Sequence, residues 1–138
     1  MNLEGIINIS GKAGLFKIIS KNKNTIIVES LADKKRSPLH SYNNANLLEE
    51  IGIYTYSDTK ALSEIINDIA KKENGKKTLS HKSSQKKLTD YFREIVADYD
   101  EQRVYNSDIK KVIQWYNIMQ ENGLIKIEKK EKPKTKKS

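Results

Sequence analysis

Two rhythms divide the chain. Over residues 5–56 the apolar positions come in short runs of β-forming residues broken by polar turns, and from Ser57 onward they recur at helical spacing. Residues 5–9 are short and apolar and read as one helical turn or an edge strand. Ser10-Gly11-Lys12-Ala13-Gly14 is a turn. Residues 15–20 and 25–30 read as a hairpin around Lys21-Asn22-Lys23-Asn24, and Ile26-Ile27-Val28 makes the second arm the clearest strand of the chain. A second turn at 32–35 leads to a third strand at 36–42. Pro38 confines that strand to a sheet edge, because proline has no amide to donate. A loop at 43–46, a single helical turn at 47–50 and a fourth strand at 51–56 complete this half. The pattern predicts a small SH3-like β-barrel or a curled antiparallel sheet.

The back half predicts three helices, so the fold class is α+β. Ser57-Asp58 offers an N-cap for a helix carrying Leu62, Ile65, Ile66 and Ile69, which Asn74-Gly75 stops. Segment 76–84 has no apolar period and reads as a linker. Leu88, Tyr91, Phe92, Ile95 and Val96 form a second stripe. After a loop at 98–105, Ser107 caps a third helix with Ile109, Val112, Ile113, Tyr116 and Met119 inward, ended by Gly123. Residues 124–127 read as a strand returning to the core. The expected divisions are a β-rich domain at 1–56, a connecting helix at 57–75, the linker at 76–84, a helical domain at 85–127 and a disordered lysine-rich tail at 128–138.

Charge changes this picture in one place. The net charge of the 138 residues is +8, yet residues 129–138 alone carry six Lys and one Glu, so the body is nearly balanced. There is no cysteine, which excludes disulfides and thiolate chemistry. No apolar run approaches the ~20 residues of a membrane span, and the start does not read as a signal peptide. A cytoplasmic setting is the expectation.

Catalytic constellations are not visible. His40 and His81 lie in different halves without metal-spaced partners. No phosphate loop or dinucleotide fingerprint occurs. The expectation is a protein without catalytic residues, metal or cofactor. Gly11-Lys12-Ala13-Gly14 matches the clamp of KH domains only in spacing, since that loop must join two helices. Asp98-Tyr99-Asp100-Glu101 lacks the calcium-loop pattern. Those acids suit the positive end of the following helix, with Arg103 near enough to pair. The 98–106 connection is too long and too acidic for a DNA-reading helix-turn-helix.

Two binding surfaces remain as candidates. Lys12 and Lys17, with Lys34, Lys35 and Arg36, sit at or near turns, where small sheets can gather them on one rim. Lys129, Lys130, Lys132, Lys134, Lys136 and Lys137 in the tail add salt-sensitive attraction to phosphate, and Lys110-Lys111 can extend the patch. These point to an adaptor for RNA, DNA or a ribonucleoprotein. The alternative is a protein–protein adaptor using the aromatic region from Tyr99 to Tyr116, with Tyr99, Arg103, Tyr105 and Trp115 as partner-binding residues. Trp115 lies about 100° from the apolar stripe, at its margin.

Several phrases carry a resemblance. They are Ile9-Ser10-Gly11-Lys12-Ala13-Gly14-Leu15-Phe16-Lys17, Val28-Glu29-Ser30-Leu31, Glu73-Asn74-Gly75-Lys76, Asp98-Tyr99-Asp100-Glu101-Gln102-Arg103-Val104-Tyr105, Ser107-Asp108-Ile109-Lys110-Lys111-Val112 and Trp115-Tyr116-Asn117. Over about residues 1–127 the chain resembles an uncharacterised Bacteroidetes domain-of-unknown-function family (number 5606) with its helical C-terminal companion domain. The resemblance implies a cytoplasmic bacterial protein with a β-rich front and a separate helical back. It transfers no catalytic or binding residue.

Overall fold

The computed structural model of the protein describes residues 3, 5–9, 12, 14–39 and 45–125. Five strands come first: β1 (Ile6–Ile9), β2 (Phe16–Lys21), β3 (Ile26–Ser30), β4 (Arg36–Leu39) and β5 (Ala45–Leu47). They form one antiparallel sheet in the order β4-β3-β2-β1-β5. Of the two expected architectures, the curled open sheet is the one that forms. Its two edges stay unjoined, and β4 with Pro38 is one of them, where a missing amide costs least.

Alternation gives the sheet two apolar faces. Ile7, Ile9, Phe16, Ile26 and Val28 pack together on one, filling the curl of the sheet itself. Ile6, Leu15, Leu31 and Leu48 point the other way and join the helices. Those helices are α1 (Leu62–Glu73), α2 (Gln85–Ile95) and α3 (Asn106–Glu121). Their stripes, including Ile65, Ile66, Phe92, Ile113 and Tyr116, are fully buried in the same core as the sheet residues. One continuous hydrophobic core therefore crosses from the front of the chain to its end.

Several local expectations need correction. Residues 6–9 are neither a helical turn nor an edge. They form β1, held between β2 and β5. Ala45 and Asn46 belong to a strand rather than a loop, because Ala45 and Leu47 add their side chains to the inner cluster. The strand expected at 51–56 is shorter and lies outside the main sheet. It is β6 (Gly52–Tyr54), paired with β7 (Thr59–Ala61). The cause is local: Asp58 N–H donates to Thr55 Oγ1 at 2.9 Å and Thr55 N–H to the Asp58 carbonyl at 2.8 Å, closing a hairpin turn. Ser57-Asp58 thus serves that turn, and Ala61 is the N-cap of α1. At α3 the N-cap is Tyr105, whose backbone N–H donates to Asp108 Oδ2 at 2.9 Å, so Ser107 lies inside the helix. Leu124 and Ile125 pack on the core without forming a strand. His40 and the tail lie outside the described residues.

Segment 76–79 is fastened to α3. Tyr116 OH donates to the Lys76 carbonyl at 2.6 Å, Thr78 N–H donates to Asn117 Oδ1 at 2.9 Å, and Asn117 Nδ2 donates to the Leu79 carbonyl at 3.0 Å. Alongside, Glu73 Oε2 accepts from Tyr91 OH at 2.6 Å and from Thr78 Oγ1 at 3.0 Å. Burial pushes both phenols up, Tyr116 to about 12, and the Glu73 carboxylate adds to each. A phenol pKa raised by folding stabilises the folded state fully below its unfolded value near 10.0, and that contribution is lost as pH climbs through the folded values. Urea denaturation should therefore show stability falling above about pH 10. The double variant Tyr91→Phe/Tyr116→Phe should show a flatter alkaline limb, measured on the same pH series. An unchanged limb would separate the alkaline loss from these phenols.

Candidate functional site

A cleft of about 280 Å³ opens where the sheet meets the helical half. Asn8 on β1 and Asn46 on β5 stand directly opposite in register, so both amides rise from the same face of the sheet. The β6 strand gives one wall through Gly52 and Tyr54. Asp108, Lys111 and Trp115 give another, spaced three and four apart on one face of α3. Arg103 enters from the loop before α3.

Arginines organise that loop. Arg103 Nε donates to Asp100 Oδ2 at 2.8 Å, and its guanidinium lies 4.4 Å from the centre of the Tyr54 ring. This hydrogen bond, with that from Gln102 N–H, holds the Asp100 carboxyl below its ordinary value. Arg93 pairs with Glu101 and donates to Tyr99 OH at 3.3 Å, with its guanidinium 4.9 Å from that ring. Two acids of the 98–101 cluster are therefore neutralised by arginines, in keeping with the structural role their position suggested. Among the described residues no group of three or more His, Cys, Asp or Glu is placed to hold a metal ion.

The aromatic candidates separate. Tyr99 is 3% exposed and packs edge-on against Phe92, with ring centres 5.1 Å apart. Trp115 is 7% exposed, and Tyr116 is fully buried. Tyr105 stays 66% exposed at the start of α3, and Tyr54 and Tyr56 of the β6–β7 hairpin are also open to solvent.

The basic candidates separate too. Lys12, Lys17, Lys34, Lys35 and Arg36 are all exposed. The β1–β2 and β3–β4 turns lie at one end of the meander, joined by Leu31 N–H donating to the Leu15 carbonyl at 3.0 Å, so Lys12, Lys34 and Lys35 share that end. Lys21 and Lys23 sit at the opposite end. Lys17 and Arg36 flank Glu29 in one cross-strand row, where Arg36 pairs with Glu29 at 3.2 Å. Lys34 Nζ reaches Asn122 Oδ1 at the end of α3, 2.5 Å away. Lys129, Lys130, Lys132, Lys134, Lys136 and Lys137 lie outside the described residues.

Sequence reasoning missed Asn8, Asn46 and Tyr54 as members of a site. The available signal was weak: one asparagine among the apolar residues 5–9 and another at the end of what reads as a loop at 43–46.

Comparison with known proteins follows the same division. A domain of unknown function (DUF5606) matches residues 3–48, and a second domain of unknown function (DUF6852) matches residues 51–119. Asn8 and Asn46 come from the first segment and the remaining cleft residues from the second. A protein from Bacteroides vulgatus, whose solution NMR structure is a target of the Northeast Structural Genomics Consortium, is 42% identical over 91% of each chain, with a TM-score of 0.74. No curated protein matches the chain. This chain accordingly belongs to the DUF6852 family and carries the DUF5606 segment ahead of it.

Proposed function

We propose that the protein is a non-catalytic adaptor that associates with RNA, DNA or a ribonucleoprotein through phosphate contacts. The basic end of its sheet and its lysine-rich C-terminal segment make those contacts. The observation that carries this reading is the Lys34–Asn122 hydrogen bond. It ties the turn bearing Lys34 and Lys35 to the end of α3, just before the point where the chain runs on toward Lys129. Lys34 and Lys35 thus stand beside the end of α3, although they lie far from it in sequence. Support for a non-catalytic role comes from the cleft, where the described lining includes no histidine and a single carboxylate, Asp108, engaged by the Tyr105 N–H. The absence of cysteine suits a cytoplasmic setting, and no helix among the described residues is long and apolar enough to cross a membrane. A protein–protein adaptor built on the Tyr99–Tyr116 region has less support, since Tyr99, Trp115 and Tyr116 are spent on internal packing.

The test is fluorescence anisotropy with labelled single- and double-stranded oligonucleotides. Affinity should drop about 10³-fold between roughly 50 and 200 mM salt, as expected for about six neutralised phosphates. Removing residues 129–138 should abolish most of the binding and flatten the salt slope. Background signal at low salt for the full-length protein would end the reading.

A further inference from the structure

We propose that the cleft takes a single unstacked base of a single-stranded nucleic acid. The Asn8 and Asn46 amides contact its edge, and Arg103 and Lys111 hold phosphates at the rim. This rests on the nucleic-acid reading above and adds a base-contacting site to what is otherwise a phosphate-backbone interaction.

Four observations lead there. The first is the state of the amides. Asn8 is half-buried and faces Asn46 across the β1–β5 ladder, and neither side chain has a hydrogen-bond partner among the described residues. An amide offers an acceptor and two donors side by side, the pattern that a base edge complements. A half-buried amide such as that of Asn8, with no partner among the described residues, is open to a ligand in the cleft, and the exposed Asn46 amide stands beside it.

The second is size. A volume of about 280 Å³ falls just short of the range for drug-sized sites, which suits one heterocycle rather than a helix or a strand of a partner protein. The third is the aromatic lining. Tyr54, 46% exposed, gives one wall and carries the Arg103 guanidinium on its face, and the largely buried Trp115 underlies another. Unstacked bases are recognised by aromatic rings and by guanidinium planes. The fourth is the placement of charge. Lys111 has no ion pair among the described residues, and Lys111 and Arg103 are exposed while Asn8 is half-buried, so the cations stand at the rim and the cleft deepens toward the Asn8 amide, with the exposed Asn46 beside it. A nucleotide has this same division, with a neutral base inside and an anionic phosphate outside. An acidic peptide would call for cations at the floor.

Trp115 is the single tryptophan of the chain, so intrinsic fluorescence reports directly on this cleft. The full-length protein is titrated with each of the four single-stranded homopolymer oligonucleotides at low salt. Binding is read in parallel by anisotropy and by Trp115 emission. The expected result is saturable quenching of Trp115 and an affinity spread among homopolymers of about tenfold. Asn46→Ala alters an exposed side chain and should fold normally by circular dichroism. It should collapse that spread while salt-sensitive binding survives, and Asn8→Ala should do the same. Binding by anisotropy with silent tryptophan emission, or a base preference untouched in both variants, overturns the cleft site and leaves the phosphate reading standing. Binding to no oligonucleotide overturns both. Quenching by poly-glutamate but by no homopolymer assigns the cleft to a protein partner and overturns the base site.

Discussion

Replacing Phe92 by alanine is expected to cost about 3–5 kcal/mol of folding stability, and to cost the sheet as much as the helices. Phe92 is fully buried on α2, with the Tyr99 ring set edge-on at 75°. The core around it includes Leu3, Ile6, Leu15, Leu31 and Leu48 from the front of the chain. A cavity there loosens a core that both halves share. Total stabilities of single domains run to about 5–15 kcal/mol, so about a fifth or more of the whole is at stake. Urea denaturation followed by Trp115 fluorescence gives the global change. Hydrogen exchange at the amides of β2 and β3 gives the change in the sheet. Both should move together. If the β2–β3 amides keep their original protection while the helices melt early, the two family segments fold independently and the shared core is not what holds the sheet.

That coupling bears on function. The cleft takes Asn8 and Asn46 from one segment and Arg103, Lys111 and Trp115 from the other. A site built across such a seam exists only when both segments are folded and packed. The core residues beneath it then act as positioning elements, since Ile6 and Leu48 lie close in sequence to Asn8 and Asn46 and face the helices.

How much of this was legible in the sequence depends on whether a feature is local. The β2–β3 hairpin was legible because Ile26-Ile27-Val28 and the Lys21–Asn24 turn residues act through short-range preferences. Pro38 marked an edge for the same reason. The three helical stripes were legible because their apolar spacing is intrinsic to each helix. What escaped was long-range pairing. Nothing near Ile6–Ile9 states that β5, some forty residues away, will cover it and make it an inner strand. The 51–56 run looked like one more strand of the sheet because its alternation says nothing of its partner; the Thr55–Asp58 turn decided that. The cleft escaped for the same reason, since Asn8 and Asn46 gain meaning only when β1 and β5 pair. Segment 76–84 looked like a free linker because it lacks apolar period, and its fastening is polar.

That polar fastening should show a second large effect, at Asn117. Its amide serves the backbone of both Thr78 and Leu79, accepting from one and donating to the other. In Asn117→Ala both backbone groups lose their partner at once, and an unsatisfied, partly buried polar group costs about 1–3 kcal/mol. Alanine's better helix propensity returns about 0.6 kcal/mol. With two such groups, a net loss of about 1–5 kcal/mol is expected from the difference. The loss should be local in its first consequence, because the released segment contains Lys76, Lys77 and Lys82, which are sites for trypsin. Limited trypsinolysis under native conditions should cut Asn117→Ala there well before the wild-type protein. Asn117→Asp keeps the acceptor for Thr78 N–H and forfeits the donor to Leu79, so its cleavage rate should fall between the two. Equal cleavage rates in all three proteins would mean that Tyr116, through the Lys76 carbonyl, holds the segment without help from its neighbour.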